Sequence, residues 1–400
     1  MKLHKTLAEA VIQTIQRIFA EGVYADKAVE QVLKQNARWG SRDRRFIAET
    51  SYGIVRWWRL ICITAGTESP QTTADFWKIF AVWQIIKGHE LPEWEEFSGI
   101  EKERVLRNYS EAQSIRKYRE SLPDWLDELG AAELGEKIWE HELPELNREA
   151  KVVLRVNTLK TDASKLQRLL AEQSIETLAL PDYRDALILS KRQNLQSLNE
   201  YRQGLFEVQD ASSQLIAPFM ELQPGMTVID ACAGAGGKSL HMAAMMRDKG
   251  KIISMDVEER KLQELKKRSD RAGAKIIQAR VVNPQAVQQL KNTADRLLLD
   301  VPCSGLGVLR RNPDAKWKLS PGFITEIKKV QQQIIGSYSQ MVKPGGMLVY
   351  ATCSILPSEN QLQVEKFLEQ HADFEFITDR KVLPGEGFDG FYMAKLKKKN

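Results

Sequence analysis

Cys303 and Cys353 each follow a short apolar run: Leu298-Leu299-Asp300-Val301-Pro302 before the first, Val349-Tyr350-Ala351-Thr352 before the second. Such runs read as buried strands, and in a doubly wound sheet the carboxyl ends of the strands line the ligand crevice. Two thiols at that edge, with Asp300 beside the first, suit attack on a carbon that is not nucleophilic by itself. Carbon 5 of a pyrimidine is such a carbon. Addition of a thiolate at carbon 6 makes carbon 5 enamine-like and able to take a methyl group. A general base must then remove the carbon-5 proton before the thiol leaves. The plain alternative is that each thiol is a small buried hydrophobe, and spacing alone does not say which cysteine would attack. No metal is expected: no Cys-x-x-Cys occurs, and His241 is the only histidine between 150 and 350.

A methyl donor needs a cradle, and Met226-Thr-Val-Ile-Asp-Ala231 runs into Cys232-Ala-Gly-Ala-Gly-Gly-Lys-Ser239. A glycine-rich turn between strand and helix lets backbone approach a ligand closely. A phosphate-binding P-loop requires Gly five positions before Gly237, where Cys232 stands. A dinucleotide fingerprint begun at Gly234 and Gly236 requires Gly at 239, where Ser239 stands, which counts against a nicotinamide-dependent dehydrogenase. S-adenosylmethionine remains, since it lacks phosphate but needs acceptors for its ammonium and ribose hydroxyls. Asp230 and Asp256, at the ends of successive strands, are placed to accept them; helix capping is the other use for such aspartates. Cys232 is expected to contribute backbone rather than thiol.

These residues must be positioned by a parallel sheet. Candidate strands Thr227–Ala231, Lys251–Asp256, 275–282, 296–301 and Met347–Thr352 alternate with helical stretches, and 374–377 and 390–396 are expected as closing edge strands. Residues 151–200 read as a small mixed unit too short for a large core of its own. The first 60 residues are helical, with Leu7, Val11, Ile15 and Ile18 at spacings of three and four, and Trp39, Trp57, Trp58, Trp77 and Trp83 are expected in a core. Pro92, Pro123 and Pro144 are expected breakpoints. The resulting division is 1–140 all-helical, 141–205 small α+β, and 206–400 doubly wound α/β.

The chain has 400 residues and a net charge of +5. No apolar run reaches the roughly 20 residues of a membrane span, and the N-terminus lacks a signal-peptide core, so a cytoplasmic location is expected. Four scattered cysteines exclude a disulfide scaffold; Cys62 reads as a core residue. Residues 1–150 carry 21 basic and 25 acidic side chains, whereas 251–350 carry 18 against 9. A polyanionic partner, RNA for instance, is therefore expected at the second half of the chain.

Over about 150–397 the sequence resembles the Sun/Fmu family of RNA 5-methylcytosine methyltransferases. The resemblance runs through Arg155-Val-Asn-Thr-Leu-Lys160, Gln209-Asp-Ala-Ser-Ser-Gln214, Asp230-Ala-Cys-Ala-Gly-Ala-Gly-Gly-Lys238 and Asp300-Val-Pro-Cys-Ser-Gly-Leu-Gly307. It continues through Arg310-Arg-Asn-Pro-Asp-Ala-Lys-Trp317, Lys343-Pro-Gly-Gly346, Ala351-Thr-Cys-Ser354 and Asp389-Gly-Phe391. Tyr24-Ala-Asp-Lys27, Asp43-Arg-Arg-Phe-Ile47 and Tyr52-Gly-Ile-Val-Arg56 resemble the NusB-like helical domain of the subgroup that modifies small-subunit ribosomal RNA.

The resemblance implies a Rossmann-like methyltransferase sheet preceded by an RNA-recognition-like subdomain and a NusB-like domain. It implies that Cys353, in the Thr-Cys motif, is the nucleophile, and that Cys303, in the Pro-Cys motif, helps release product. Asp300 would hydrogen-bond the cytosine's polar edge, and Lys238 would sit near donor and base. Family cofactor residues fall on Cys232, Ala233, Gly234, Ala235, Gly236, Gly237, Lys238, Asp256 and Asp300, with Asp230 beside them. Asn283 stands where an aspartate is usual, and Gly234-Ala235 where many members have Ala-Pro. RNA contacts are expected from Arg155, Asn157, Arg310, Arg311, Lys316 and Lys318, with the target cytosine flipped out or single-stranded. The implied partner is ribosomal RNA bound by a monomer. Transfer RNA is the runner-up substrate, and a catalytically silent RNA-binding assembly factor the alternative.

Overall fold

The computed structural model describes residues 3–400. The chain divides into two units, one built from the chain up to Arg148 together with Leu309–Ser320, the other from Glu149–Val308 and Pro321–Asn400. Among the described residues no helix is long and apolar enough to cross a membrane.

In the helical unit, Leu7, Val11, Ile15 and Ile18 lie buried along the helix Lys5–Phe19. The helix Thr73–Ile86 is buried almost all round, from Phe76 through Ile85, and so forms the centre of the unit. It starts at a capping box: Asp75 N–H donates to the Thr72 hydroxyl, and Thr72 N–H donates back to the Asp75 carboxylate at 2.9 Å. Trp58, Trp77, Trp83 and Cys62 are core residues, with Trp39 and Trp57 packed against them. Pro123 precedes the helix Asp124–Leu134, but Pro144 lies inside the helix Glu136–Asn147. Leu143 and Leu146 on either side are buried, so packing of the last turn carries the helix past a residue that would otherwise break it.

The segment Leu309–Ser320 belongs to this helical unit, although the residues on either side of it in the sequence belong to the other. Trp317 Nε1 donates to Val55 O at 2.7 Å, Lys318 Nζ donates to the carbonyls of Gly22 and Val23, and Asp314 accepts from Ala25 N at 3.0 Å.

The second unit holds two sheets. The smaller is formed by β1 (Val153–Val156), β2 (Thr177–Leu180), β3 (Tyr183–Leu189) and β4 (Phe206–Val208), in the order β2-β3-β1-β4 and antiparallel throughout. The larger is formed by β5 (Thr227–Asp230), β6 (Lys251–Asp256), β7 (Ile277–Val281), β8 (Ala294–Asp300), β9 (Val342–Thr352), β10 (Phe374–Val382) and β11 (Phe391–Lys398). Its order is β10-β11-β9-β8-β5-β6-β7. Strands β5 to β9 run parallel, whereas β11 pairs antiparallel with both β9 and β10. The closing strands therefore do not both lie at the edge. β11 is inserted inside the sheet, consistent with its nearly continuous burial, and β10, mostly exposed, is the edge.

Successive residues alternate between two covered faces. Ile229, Leu297, Leu299, Leu348 and Tyr350 pack with Ile335 and Phe367 on one side; Val228, Leu298, Val349 and Ala351 pack with Leu240, Met242 and Ala272 on the other. The chain winds outward from β5 to β7, then crosses to β8 and β9. The strand order thus reverses between β5 and β8, and Asp230 and Asp300 end those two strands.

Candidate active site

After β5 the chain turns through Ala231–Gly236 into the helix Gly237–Met245. Gly236 N–H donates to Ala233 O at 2.9 Å, closing the turn. Gly236 has φ +83°, and a Cβ there would meet Leu265 Cγ at 2.6 Å, so this position requires glycine. Gly234 N–H donates to Asp256 Oδ2 at 2.9 Å, and Glu258 N–H to Asp256 Oδ1 at 2.9 Å. Asp256 thereby ties the loop to the end of β6.

Arginines support the same loop from beneath. Arg268 donates to Ala235 O at 2.8 Å and to the Glu207 carboxylate at 2.9 Å. Arg155 donates to Gly237 O and to Gln209 Oε1. Burial pulls the Arg155 guanidinium down to about 10, with Glu207 opposing.

Asp230 is fully buried. Its Oδ2 accepts from Ser239 Oγ at 2.6 Å, and Ser239 in turn accepts from Ser254 Oγ at 2.8 Å. Its Oδ1 is buried with no partner among the described residues. Burial pushes this carboxyl up to about 7, against the pull of Ser239. The residue borders a cavity of about 230 Å³, together with Gln209, Cys232, Lys238, Arg268 and Asp300. A buried carboxylate oxygen left open beside a cavity is what a cationic group requires. This cradle, with its glycine turn and unpaired acceptor, fits the ammonium of S-adenosylmethionine.

Across β8 lies the charged pair. Lys238 Nζ is 2.5 Å from Asp300 Oδ2, and both side chains are largely shielded. Burial disfavours the Lys238 ammonium, but attraction to Asp300, and further off to Cys353, holds it above its ordinary value. The thiols follow: Cys303 Sγ and Cys353 Sγ are 3.2 Å apart, both half-buried. Cys303 is raised well above the ordinary thiol range, first by its contact with Cys353, then by burial and by Glu359. Gly307 allows the loops to meet: its N–H donates to Cys353 O at 2.9 Å, its O accepts from Gly390 N at 2.8 Å, and a Cβ there would collide with backbone.

The structure thus gathers Asp230, Cys232, Ala233, Gly237, Lys238 and Asp300 around one cavity, with Cys303 and Cys353 at the neighbouring strand ends. Asn283 does something different: it caps the helix Pro284–Gln289, its Oδ1 accepting from Ala286 N at 2.8 Å.

The residues expected at RNA are mostly not displayed. Arg155 is 3% exposed and serves the glycine loop. Asn157 is 6% exposed and donates to the carbonyls of Gly204 and Ala272, both at 2.8 Å. Arg310, 5% exposed, donates to the backbone and carboxylate of Glu145, while Lys316, 1% exposed, donates to Arg56 O and Asn147 Oδ1. Burial drives Lys316 well below its ordinary value. Composition counts such charges as surface, but their hydrogen bonds are spent within the fold. Arg311 is half-buried. Sequence reasoning passed over Arg268, Ser239 and Glu359; Ser239 entered it only as a failed glycine.

Residues 217–397 match the family model described as 16S rRNA methyltransferase RsmB/F, and residues 122–196 match the ferredoxin-like domain of RsmF/B-like methyltransferases. Over 98% of its length the chain is 31% identical to the probable ribosomal RNA small subunit methyltransferase B of Synechocystis sp., of which 99% is covered. It is 35% identical to ribosomal RNA small subunit methyltransferase B of Vibrio cholerae, over 74% of this chain and 71% of that one. Among solved structures, a methyltransferase homolog protein from Pyrococcus horikoshii is similar with a TM-score of 0.63 and 25% identity, covering 71% of this chain and 97% of that one.

Proposed function

The chain belongs to the RsmB/F family of 16S ribosomal RNA methyltransferases, and from that premise we propose that it methylates carbon 5 of a cytosine in small-subunit ribosomal RNA through a covalent bond from Cys353 to carbon 6. S-adenosylmethionine is the cofactor and, when bound, supplies the methyl group. The observation that carries the proposal is the pair of thiols 3.2 Å apart, beside the Lys238–Asp300 pair and next to the glycine cradle.

Cys353 attacks as its thiolate, the nucleophilic form of the side chain. The new bond uses the sulfur lone pair and breaks the 5,6 double bond. Its electrons move towards N3, which takes a proton from solvent and returns it when the double bond is restored, while Asp300 accepts from the exocyclic amine. Carbon 5 then takes the methyl group. Loss of the carbon-5 proton restores the double bond and expels Cys353 as thiolate. The proximity of Cys353 is the first cause of the raised Cys303. Once Cys353 is a neutral thioether that influence disappears; Cys303 then releases its own proton to solvent, and its thiolate takes the carbon-5 proton. The pair thus acts as nucleophile and base in turn without both sulfurs ever being anionic.

With labelled donor and small-subunit RNA, Cys353→Ala is expected to abolish transfer. Cys303→Ala is expected to accumulate a protein–RNA adduct that survives denaturant. Adduct accumulation in Cys353→Ala instead would reverse the assignment, and labelled product other than 5-methylcytosine would sink the proposal.

A further inference from the structure

One buried carboxylate touches both thiol loops. Glu359 is fully buried, in the short turn that follows the Thr-Cys strand. Its Oε1 accepts from Ser304 Oγ and from Ser354 Oγ, each at 2.5 Å. Its Oε2 accepts from Ser304 N at 2.8 Å and from Gln331 Nε2 at 3.0 Å. Ser304 and Ser354 immediately follow Cys303 and Cys353. The same Gln331 amide donates to Pro302 O at 3.0 Å, so Cys303 is gripped on both sides. Cys353 is gripped likewise: Thr352 Oγ1 donates to Asn360 Oδ1 at 2.5 Å, and Asn360 Nδ2 donates to Ser354 O at 3.0 Å. Glu359 itself is anchored by Tyr350, whose hydroxyl donates to its carbonyl at 2.7 Å.

A carboxylate accepting four hydrogen bonds in a dry site is both satisfied and stiff. It joins one loop to the other through both of its oxygens, beside the direct contact of Ser304 Oγ with Ser354 Oγ at 3.2 Å and the bond from Gly307 N–H to Cys353 O. We infer that Glu359 is a positioning residue that sets the distance between Cys303 and Cys353, and through it the rate at which the covalent intermediate is released. The inference rests on the roles proposed above for the two cysteines. First attack needs only Cys353 in place; release needs the second sulfur within reach of the carbon-5 proton, and a displacement of about 1 Å there is worth up to about a hundredfold in rate.

Glu359→Gln keeps the volume but turns an amide N–H2 towards two of the four donors. Ser354→Ala removes that hydroxyl's links to Glu359 and to Ser304 Oγ, leaves the carboxylate three donors, and serves if the first variant does not fold. The spacing is read without catalysis by titrating the full chain with phenylarsine oxide. Each sulfur of a close thiol pair bonds to arsenic, and the oxide oxygen leaves as water with the two thiol protons. In parallel, single-turnover methyl transfer and decay of the denaturant-resistant adduct are followed. Each variant is expected to bind the arsenical at least tenfold more weakly and to release the adduct at least tenfold more slowly. First-turnover transfer should change less than threefold. Unchanged capture or unchanged release in a folded variant overturns the inference, as does equal slowing of transfer and release, the mark of general loosening. If Cys303→Ala accumulates no adduct, the reaction reading fails, while the arsenical titration still reports on what Glu359 holds.

Discussion

The glycine loop and the thiol loops share one sheet edge, yet ions of opposite sign hold them. Beneath the glycine loop, Arg155 and Arg268 donate into the carbonyls of Gly237 and Ala235. Beneath the thiol loops, Glu359 collects N–H and O–H donors from Ser304, Ser354 and Gln331. The sign of the support reaches the working groups. Negative charge at Glu359 adds to what keeps the Cys303 thiol protonated, while Lys238, on the cradle side, is drawn by Cys353. The two sulfurs, 3.2 Å apart, thus sit where the two kinds of support meet.

Substitutions that cross from one side to the other would test this contrast. The largest effect is expected from Lys238→Met, which leaves Asp300 without its counter-charge. Single-turnover transfer should fall about 10²- to 10³-fold, the scale for losing one preorganised charged group. S-adenosylhomocysteine binding by calorimetry should fall about tenfold at most, since Lys238 also borders the cavity beside Asp230; an equal loss of binding would merge the two regions. Next, Arg155→Met should weaken S-adenosylhomocysteine binding about tenfold and lower stability by about 2 kcal/mol, because the Gly237 carbonyl is left buried and unpaired. Phenylarsine oxide capture should remain unchanged. A loss of capture would show that the cradle also sets the thiols.

A smaller effect concerns pH. Burial raises Asp230 to about 7. Its raised value means that the folded chain holds a proton the unfolded chain has lost between about pH 4 and 7. This contribution to stability is full below the unfolded value and is lost as pH rises through 7. Binding a cationic ligand runs the other way, since it needs the carboxylate. Affinity for S-adenosylhomocysteine should rise about tenfold from pH 6 to pH 8, and Asp230→Asn should flatten that rise. The smallest effect is expected at Lys316→Met, in the helical unit. The salt dependence of RNA binding should keep its slope, whereas loss of a phosphate contact would lower it by about one.

The residues proposed for the chemistry are more legible in the sequence than those that hold them. Cys303, Cys353, Asp300 and the run from Asp230 to Lys238 follow strand patterns that local sequence reveals, and the sheet brings them to one edge. Arg155 was read as an RNA contact because its chain position says nothing of Gly237, 82 residues on. Lys316 was misread similarly, its partners Arg56 and Asn147 lying 260 and 169 residues away. Periodicity revealed β11 but not its place, since insertion between β9 and β10 is decided by pairing rather than by propensity. At Asn283 the structure shows a local use that the motif does not announce, capping the helix that Pro284 begins.

The excursion of Leu309–Ser320 has a consequence for how the gene can be cut. The helical unit is discontinuous: its last twelve residues arrive only after the Pro-Cys loop has been made. A chain starting at Glu149 would not be a freed catalytic domain. It would carry Arg310, Lys316 and Trp317 without the Glu145, Arg56 and Val55 groups that receive them. Modularity in this protein follows the fold and not the order of the chain, so its natural joints lie at three places along the sequence instead of one.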